Sequence, residues 1–290
     1  MMENSFKNEE GDTFKSETFL KPFPYIKFGI VSALAIFLIY QIVGGAAITL
    51  LKTSGFKSWL PWVQGFVQIV GMLLPTLWIA RRTPLHFKKI LRLEKLPTPR
   101  QWIFGLLGII AIQVFTQGFV TLQDYILPEK IVEFYKNLER DFDELYRLLL
   151  GSETIWGLLR ALLIGAAIPA IVEEFLFRGV MQRSLEEAMP FKKAIIVTGI
   201  IFGVIHFNLP VLIPLAIIGM YLGALAYYSE SILLPVAAHF LNNALSVFSL
   251  YRESSSSVDI SLLQAAGLAI TGITGISLCF RQISRFEKGF

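Results

Sequence analysis

The stretch Ile155–Phe177 reads IWGLLRALLIGAAIPAIVEEFLF. It runs for 23 residues with Arg160, Glu173 and Glu174 as its only charges, and roughly 20 mostly apolar residues are enough to cross the hydrocarbon layer of a bilayer. No water reaches the backbone there, so the segment must satisfy its own N–H and C=O groups as a helix. Glu173 and Glu174 are then ionisable groups inside a membrane span. Such groups are costly in lipid and point to function. The segment therefore predicts both a membrane helix and a polar centre within it.

The rest of the chain follows the same pattern. Of its 290 residues 54% are hydrophobic and 17% charged, against about 25% charged in ordinary soluble domains. The apolar residues come in long blocks. About eight candidate spans follow: Phe28–Leu51, Leu60–Ala80, Trp102–Leu122, Ile155–Phe177, the short Ala194–His206, Val211–Tyr228, Ile232–Leu250 and Ile260–Phe280. The fold class expected is all-α, a polytopic transmembrane helix bundle. Residues 28–290 form one membrane domain with a catalytic core at about 155–250. Residues 1–27 mix Lys with Glu, Asp, Asn and Ser and show neither an apolar core nor a small-residue cleavage pattern, so they read as a cytosolic tail and not a cleaved signal peptide. Ser254–Ser257 reads as an exposed loop. Pro128–Leu150 places Ile131, Phe134, Leu138, Phe142 and Leu145 near helical spacing opposite a charged face, the pattern of an amphipathic helix on the outer surface.

The formal net charge is +4, and its distribution explains it. With a cytosolic N-terminus, eighteen of the 26 Lys and Arg residues fall on the inner side: four before the first span, seven between the second and third, four after the fourth and three after the last. That asymmetry predicts an even number of spans, both termini cytoplasmic and a multi-pass cell-membrane protein. The basic loop around His86 fits anionic lipid, a membrane partner, and nucleic acid is not expected. The single cysteine, Cys279, lies in an apolar run. It has no partner for a disulfide and no Cys or His at metal-ligand spacing.

The second half of the chain collects the polar residues. Glu173, Glu174 and Arg178 stand in IPAIVEEFLFRGV, His206 in IFGVIHF, and His239, Asn242 and Asn243 in PVAAHFLNNALS. The fourth helix reaches a turn near Met189–Phe191, which puts Glu173 ~17 residues before the turn and His206 ~15 after it. At about 1.5 Å per residue these sit at similar depth. His239 enters its span from the same side, and Asn243 follows at i+4 on the same helical face. A carboxylate beside a His can hold and deprotonate a water. A second His with an Asn amide can donate to a developing oxyanion. The set suits amide hydrolysis by activated water without a covalent nucleophile. Glu174 and Arg178, also at i,i+4, are spaced for an ion pair that leaves Glu173 the freer carboxylate.

These residues carry a resemblance. EEFLFRG (Glu173–Gly179) resembles the EExxxR motif of the CAAX protease and bacteriocin-processing family of intramembrane endopeptidases. Phe202 and His206 resemble its FxxxH motif, and His239 and Asn243 its HxxxN motif. The resemblance covers about residues 155–250. It implies an intramembrane glutamate endopeptidase acting on a peptide or membrane-anchored protein. Glu173 would be the general base, His206 would orient the water, and His239 and Asn243 would form the oxyanion site. Glu174, Arg178 and Phe202 would support them. No cofactor is implied in this reading; the alternative is zinc held by Glu173, His206 and His239. Two other functions use the same cavity: a proton-coupled transporter, or a membrane adaptor that binds without turnover.

Overall fold

The computed structural model describes residues 23–151, 154–252 and 260–285. Most of the cytosolic tail expected over residues 1–27, and the serine loop at 254–257, lie outside these residues. Among the described residues all regular structure is helical. Seven helices are long and apolar enough to cross a bilayer: α1 (Tyr25–Thr53), α2 (Lys57–Ala80), α3 (Pro99–Ile126), α5 (Ile155–Glu186), α7 (Leu212–Ser229), α8 (Leu233–Tyr251) and α9 (Leu262–Ser284). Between them lie α4 (Glu129–Leu150) and α6 (Phe191–Val204).

The sequence gives reasons for several boundaries. Thr98 and Ser261 start α3 and α9 with capping boxes, their side chains accepting from the backbone of Gln101 and Gln264. Each satisfies an N–H that the first turn leaves without a partner. Pro99 occupies the first position of α3, where a missing N–H costs nothing.

The fifth expected span is the main difference. Its helix, α6, holds 14 residues, or about 21 Å at 1.5 Å per residue, against a hydrocarbon thickness of about 30 Å. The chain turns back after it through Phe207, whose φ is +52°, and α7 returns along α6. The two helices meet at glycines. A Cβ placed on Gly219 would stand 2.9 Å from both Cα and O of Gly199. Close glycine contact is a common way for membrane helices to pack without a hydrophobic driving force. His206 therefore sits just beyond a shortened arm, part-buried in the bundle.

Burial separates inner from outer helices. In their apolar windows, 56% of α7 and 44% of α5 are buried, against 22% for α1 and α9. The helix bearing Glu173 is thus among the most enclosed. Large apolar side chains on the outside, such as Ile42 at 70% and Ile270 at 66% exposure, would be an aggregation surface in water and match lipid. Trp59, Trp62, Trp78 and Trp156 are exposed, as interfacial anchors should be. The helix expected over Pro128–Leu150 forms as α4, charged on one side, with Leu149 buried against the bundle.

One end of the bundle is closed by a charged knot. Arg92, 6% exposed and with φ +52°, reaches inward from the α2–α3 connection. Its guanidinium bonds both carboxylate oxygens of Glu186 at 2.6 Å, the Ala226 carbonyl at 3.1 Å and the Arg178 carbonyl at 3.3 Å. Its own carbonyl accepts from Ile232 N–H at 3.0 Å. Gln182 donates to Glu186 and to the Gly223 carbonyl, both at 2.9 Å. The fork geometry of arginine is what allows one side chain to tie α5 to α7, while the Arg92 backbone carbonyl adds the start of α8.

Candidate active site

The site is built on α5, whose hydrogen-bond ladder is interrupted twice. π-helical turns at Leu163–Ala167 and Phe175–Met181 flank the α-helical Ile168–Glu174. Such turns shift side-chain directions and occur often at functional sites. Pro169 stands at the start of the α-helical piece, where its missing N–H removes a ladder bond.

Glu173 and Glu174, adjacent in sequence, point to different partners. Glu174 is fully buried. Its Oε2 lies 3.2 Å from Arg178 Nε, an ion pair within the helix. The contact is close but poorly aligned, since neither atom makes a hydrogen bond by angle. Glu174 Oε1 accepts from His239 Nδ1–H at 2.9 Å. Arg178, also fully buried, donates to the Gly219 carbonyl at 3.3 Å and lies 4.8 Å above the Phe202 ring. Cation–π attraction strengthens when both groups are out of water.

Glu173 is the freer carboxylate. Its Oε2 is buried without a hydrogen-bond partner. It stands 3.9 Å from His206 Nε2 and 3.9 Å from His239 Nε2. The other nitrogen of each ring is committed. His206 Nδ1 donates to the Phe202 carbonyl at 2.6 Å, and His239 Nδ1 to Glu174. Both Nε2 atoms therefore turn toward Glu173. A polar separation above 3.5 Å has room for a bridging water.

Phe202 organises the two imidazoles. It is 1% exposed and packs on Phe177 edge-on at 5.4 Å, on His206 at 4.6 Å and on His239 at 5.7 Å between ring centroids. Asn243 stands one turn from His239 on α8. Its Oδ1 accepts from Asn242 Nδ2 at 3.1 Å, and Asn242 Oδ1 accepts from Gln113 Nε2 at 2.7 Å. That chain fixes the Asn243 amide with its NH₂ end unspent, the flip being inferred from the network. Six expected residues, Glu173, Glu174, Arg178, Phe202, His206 and His239, thus form one connected cluster. Asn243 bonds to Asn242 and, through it, to Gln113 of α3, and makes no hydrogen bond to the cluster among the described residues.

The zinc alternative has a geometric requirement. Ligands about 2.0–2.1 Å from a tetrahedral zinc lie about 3.4 Å apart. The two 3.9 Å separations exceed that, and among the described residues no group of three His, Cys, Asp or Glu is set to hold a metal ion. As they stand these three do not fit zinc.

Sequence reading passed over several residues near the site. Tyr40 and Tyr146 lie within electrostatic reach of Glu173, from α1 and α4. The Tyr146 phenol is held above its ordinary range, first by protein atoms crowding the oxygen and then by the charges of Glu173 and Asp143. The residue as a whole keeps 48% of its surface open; crowding at the oxygen governs the titration. The amphipathic period of α4 carried a hint, since it makes a helix lying against the bundle necessary. For Arg92 the basic loop gave a topology signal only.

No curated protein and no solved structure matches the chain. A family model does. Residues 155–245, which supply every member of the cluster, match the family described as type II CAAX prenyl endopeptidase Rce1-like.

Proposed function

We propose that this membrane protein is a glutamate endopeptidase. The observation that carries the reading is the orphaned, buried Oε2 of Glu173 set 3.9 Å from two imidazole nitrogens. A water between these atoms donates one proton to Glu173, and the oxygen left behind attacks the carbonyl carbon of the scissile peptide bond. His206, tied by its Nδ1–H to Phe202, orients the water. Glu173, Glu174 and Arg178 together carry one net negative charge. A second proton on His239 balances it and gives Nε2 a hydrogen to donate. His239 and the Asn243 amide then hold the oxyanion. Collapse of the tetrahedral intermediate sends the electron pair to the leaving nitrogen, which takes its proton from Glu173.

The substrate is a peptide or a membrane-anchored protein cut near the cytosolic face; the family's description makes a prenylated CAAX peptide the first to try. Orientation with both termini cytoplasmic rests on the Lys and Arg distribution. The test uses detergent-purified protein and a quenched farnesylated CAAX peptide, comparing wild type, Glu173→Gln, His206→Ala and wild type with chelator. Loss of cleavage in Glu173→Gln with none from chelator supports the reading. Cleavage abolished by chelator and restored by zinc replaces it with a metalloprotease. Undiminished cleavage by Glu173→Gln removes the general base.

A further inference from the structure

A second polar cluster near Glu173 comes from α1 and α2, outside the residues that match the family. Tyr40 is 7% exposed and Gln68 7% exposed. The Tyr40 oxygen accepts from Gln64 Nε2 at 2.6 Å and from Gln68 Nε2 at 3.2 Å. Helix register puts this trio at the depth of Glu173. Phe37, one turn from Tyr40 along α1, packs on Phe177, one turn from Glu173 along α5, at 6.3 Å between rings. Gly65 of α2 faces Ile164 and Ile168 of α5, which brings Gln68, one turn further on, level with the same region. Tyr40 also lies within electrostatic reach of the Glu173 carboxylate.

Two hydrogen-bonding capacities are left over here. With both acceptor positions of the phenol oxygen taken by amides, its O–H remains as a donor directed away from them. Gln68 Oε1 is buried with no partner, and a buried amide oxygen left unbonded is costly. The pair offers one donor beside one acceptor. In an extended peptide the N–H and C=O of a single residue point to the same edge, the arrangement by which protein edges bind a strand.

We infer that the Tyr40 hydroxyl and the Gln68 amide oxygen form a binding subsite for the substrate main chain, gripping the C=O and N–H of one residue of an extended segment close to the scissile bond. Gln64 holds the phenol in place. The inference rests on the peptidase reading above for its ligand. It assigns α1 and α2 a part in recognition.

The test measures KM, kcat and direct binding with the full chain in detergent, using the farnesylated CAAX peptide and versions N-methylated at one residue at a time. Tyr40→Phe and Gln68→Met each remove one of the two substrate hydrogen bonds with little change in shape, and both also remove the Gln68–Tyr40 bond. Each raises KM about tenfold and leaves kcat within about threefold. One N-methyl position weakens wild-type binding by a similar factor and leaves Gln68→Met unaffected. Unchanged KM in both variants, or an N-methyl profile identical in wild type and Gln68→Met, overturns the subsite. Binding is read in the Glu173→Gln background as well. Loss of grip there with Tyr40→Phe supports the subsite whether or not Glu173 is the base, and failure of wild type to bind the probe at all overturns it.

Discussion

His239 donates its Nδ1–H to Glu174 at 2.9 Å, inside the protein, while its Nε2 turns to Glu173. One imidazole thus bridges two carboxylates that are neighbours in sequence. The bond to Glu174 sets the tautomer and ring orientation. Glu174 also faces the buried Arg178 guanidinium, so it serves two groups at once.

The two glutamates should therefore fail differently. Glu173→Gln removes the orphaned carboxylate without uncovering a buried cation, so turnover falls while thermal stability stays near wild type. Glu174→Gln leaves Arg178 without its counter-charge, which in a buried pair costs about 3–5 kcal/mol. It also loosens His239, for which a loss of about 10–100-fold in activity is typical of an orienting carboxylate. Thermal unfolding in detergent, measured beside peptide turnover, separates them. Equal melting temperatures for the two variants would contradict the assignment.

Arg92 and Glu186 predict a purely structural effect. Arg92→Ala strands the Ala226 and Arg178 carbonyls and takes from Glu186 its closest counter-charge, with Arg183 and Gln182 left as its partners, so a loss toward the lower end of about 3–5 kcal/mol is expected. Arg92→Lys should recover little, because an ammonium cannot reach Glu186, Ala226 and Arg178 together. Replacing Arg92 and Glu186 together should cost less than the sum of the single losses, since the partners share one interaction. Denaturant or thermal melts of the four proteins give the coupling directly.

The α6–α7 contact predicts sensitivity at a position far from any charge. Gly219→Ala places a Cβ 2.9 Å from the Gly199 backbone, and backbone cannot rotate aside as a side chain can. The helices must part, moving both the carbonyl that receives Arg178 and the turn that holds His206. A displacement near 1 Å can cost about 100-fold in rate, which is the loss expected in turnover. Gly267→Ala on α9, where nothing lies within 4 Å, is the control and should leave activity and stability at or above wild type.

The sequence made some of this legible for a simple reason. Charged and imidazole side chains are rare inside apolar spans, so Glu173, His206 and His239 stood out, and rise per residue alone matched Glu173 and His206 in depth. Direction around the helix axis was harder. Glu174 was expected beside Arg178, and it is, but its bond to His239 depends on how α5 is rotated against α8, which no spacing rule reveals. Arg92 looked like one of seven inner cations, because a loop charge next to a membrane is ordinarily solvated. Only the folded chain, with Arg92 in a left-handed backbone conformation, carries it inward. Tyr40 and Gln68 were hidden for the opposite reason: isolated Tyr and Gln in long apolar helices resemble packing residues until neighbouring helices align them. About eight spans were expected and seven helices pass the length needed to cross a bilayer, because α6, which carries the fifth expected span, ends after 14 residues.

The Gln113–Asn242–Asn243 chain gives a prediction about orientation. Gln113 fixes Asn242, and Asn242 holds the Asn243 oxygen, so that Asn243 presents its NH₂ group. Gln113→Leu removes the first link without touching α8. Asn242 can then turn its amide, and Asn243 loses its fixed flip. If Asn243 acts as an oxyanion donor, turnover should fall, by less than the roughly 100–1,000-fold cost of deleting such a donor outright, with KM nearly unchanged because the interaction grows in the transition state. Asn243→Ala should lose more. The decisive measurement is the double variant: with Asn243 absent, its orientation no longer matters, so Gln113→Leu/Asn243→Ala should turn over no more slowly than Asn243→Ala alone. Additive losses would mean that Gln113 acts by another route, through the packing of α3 against α8.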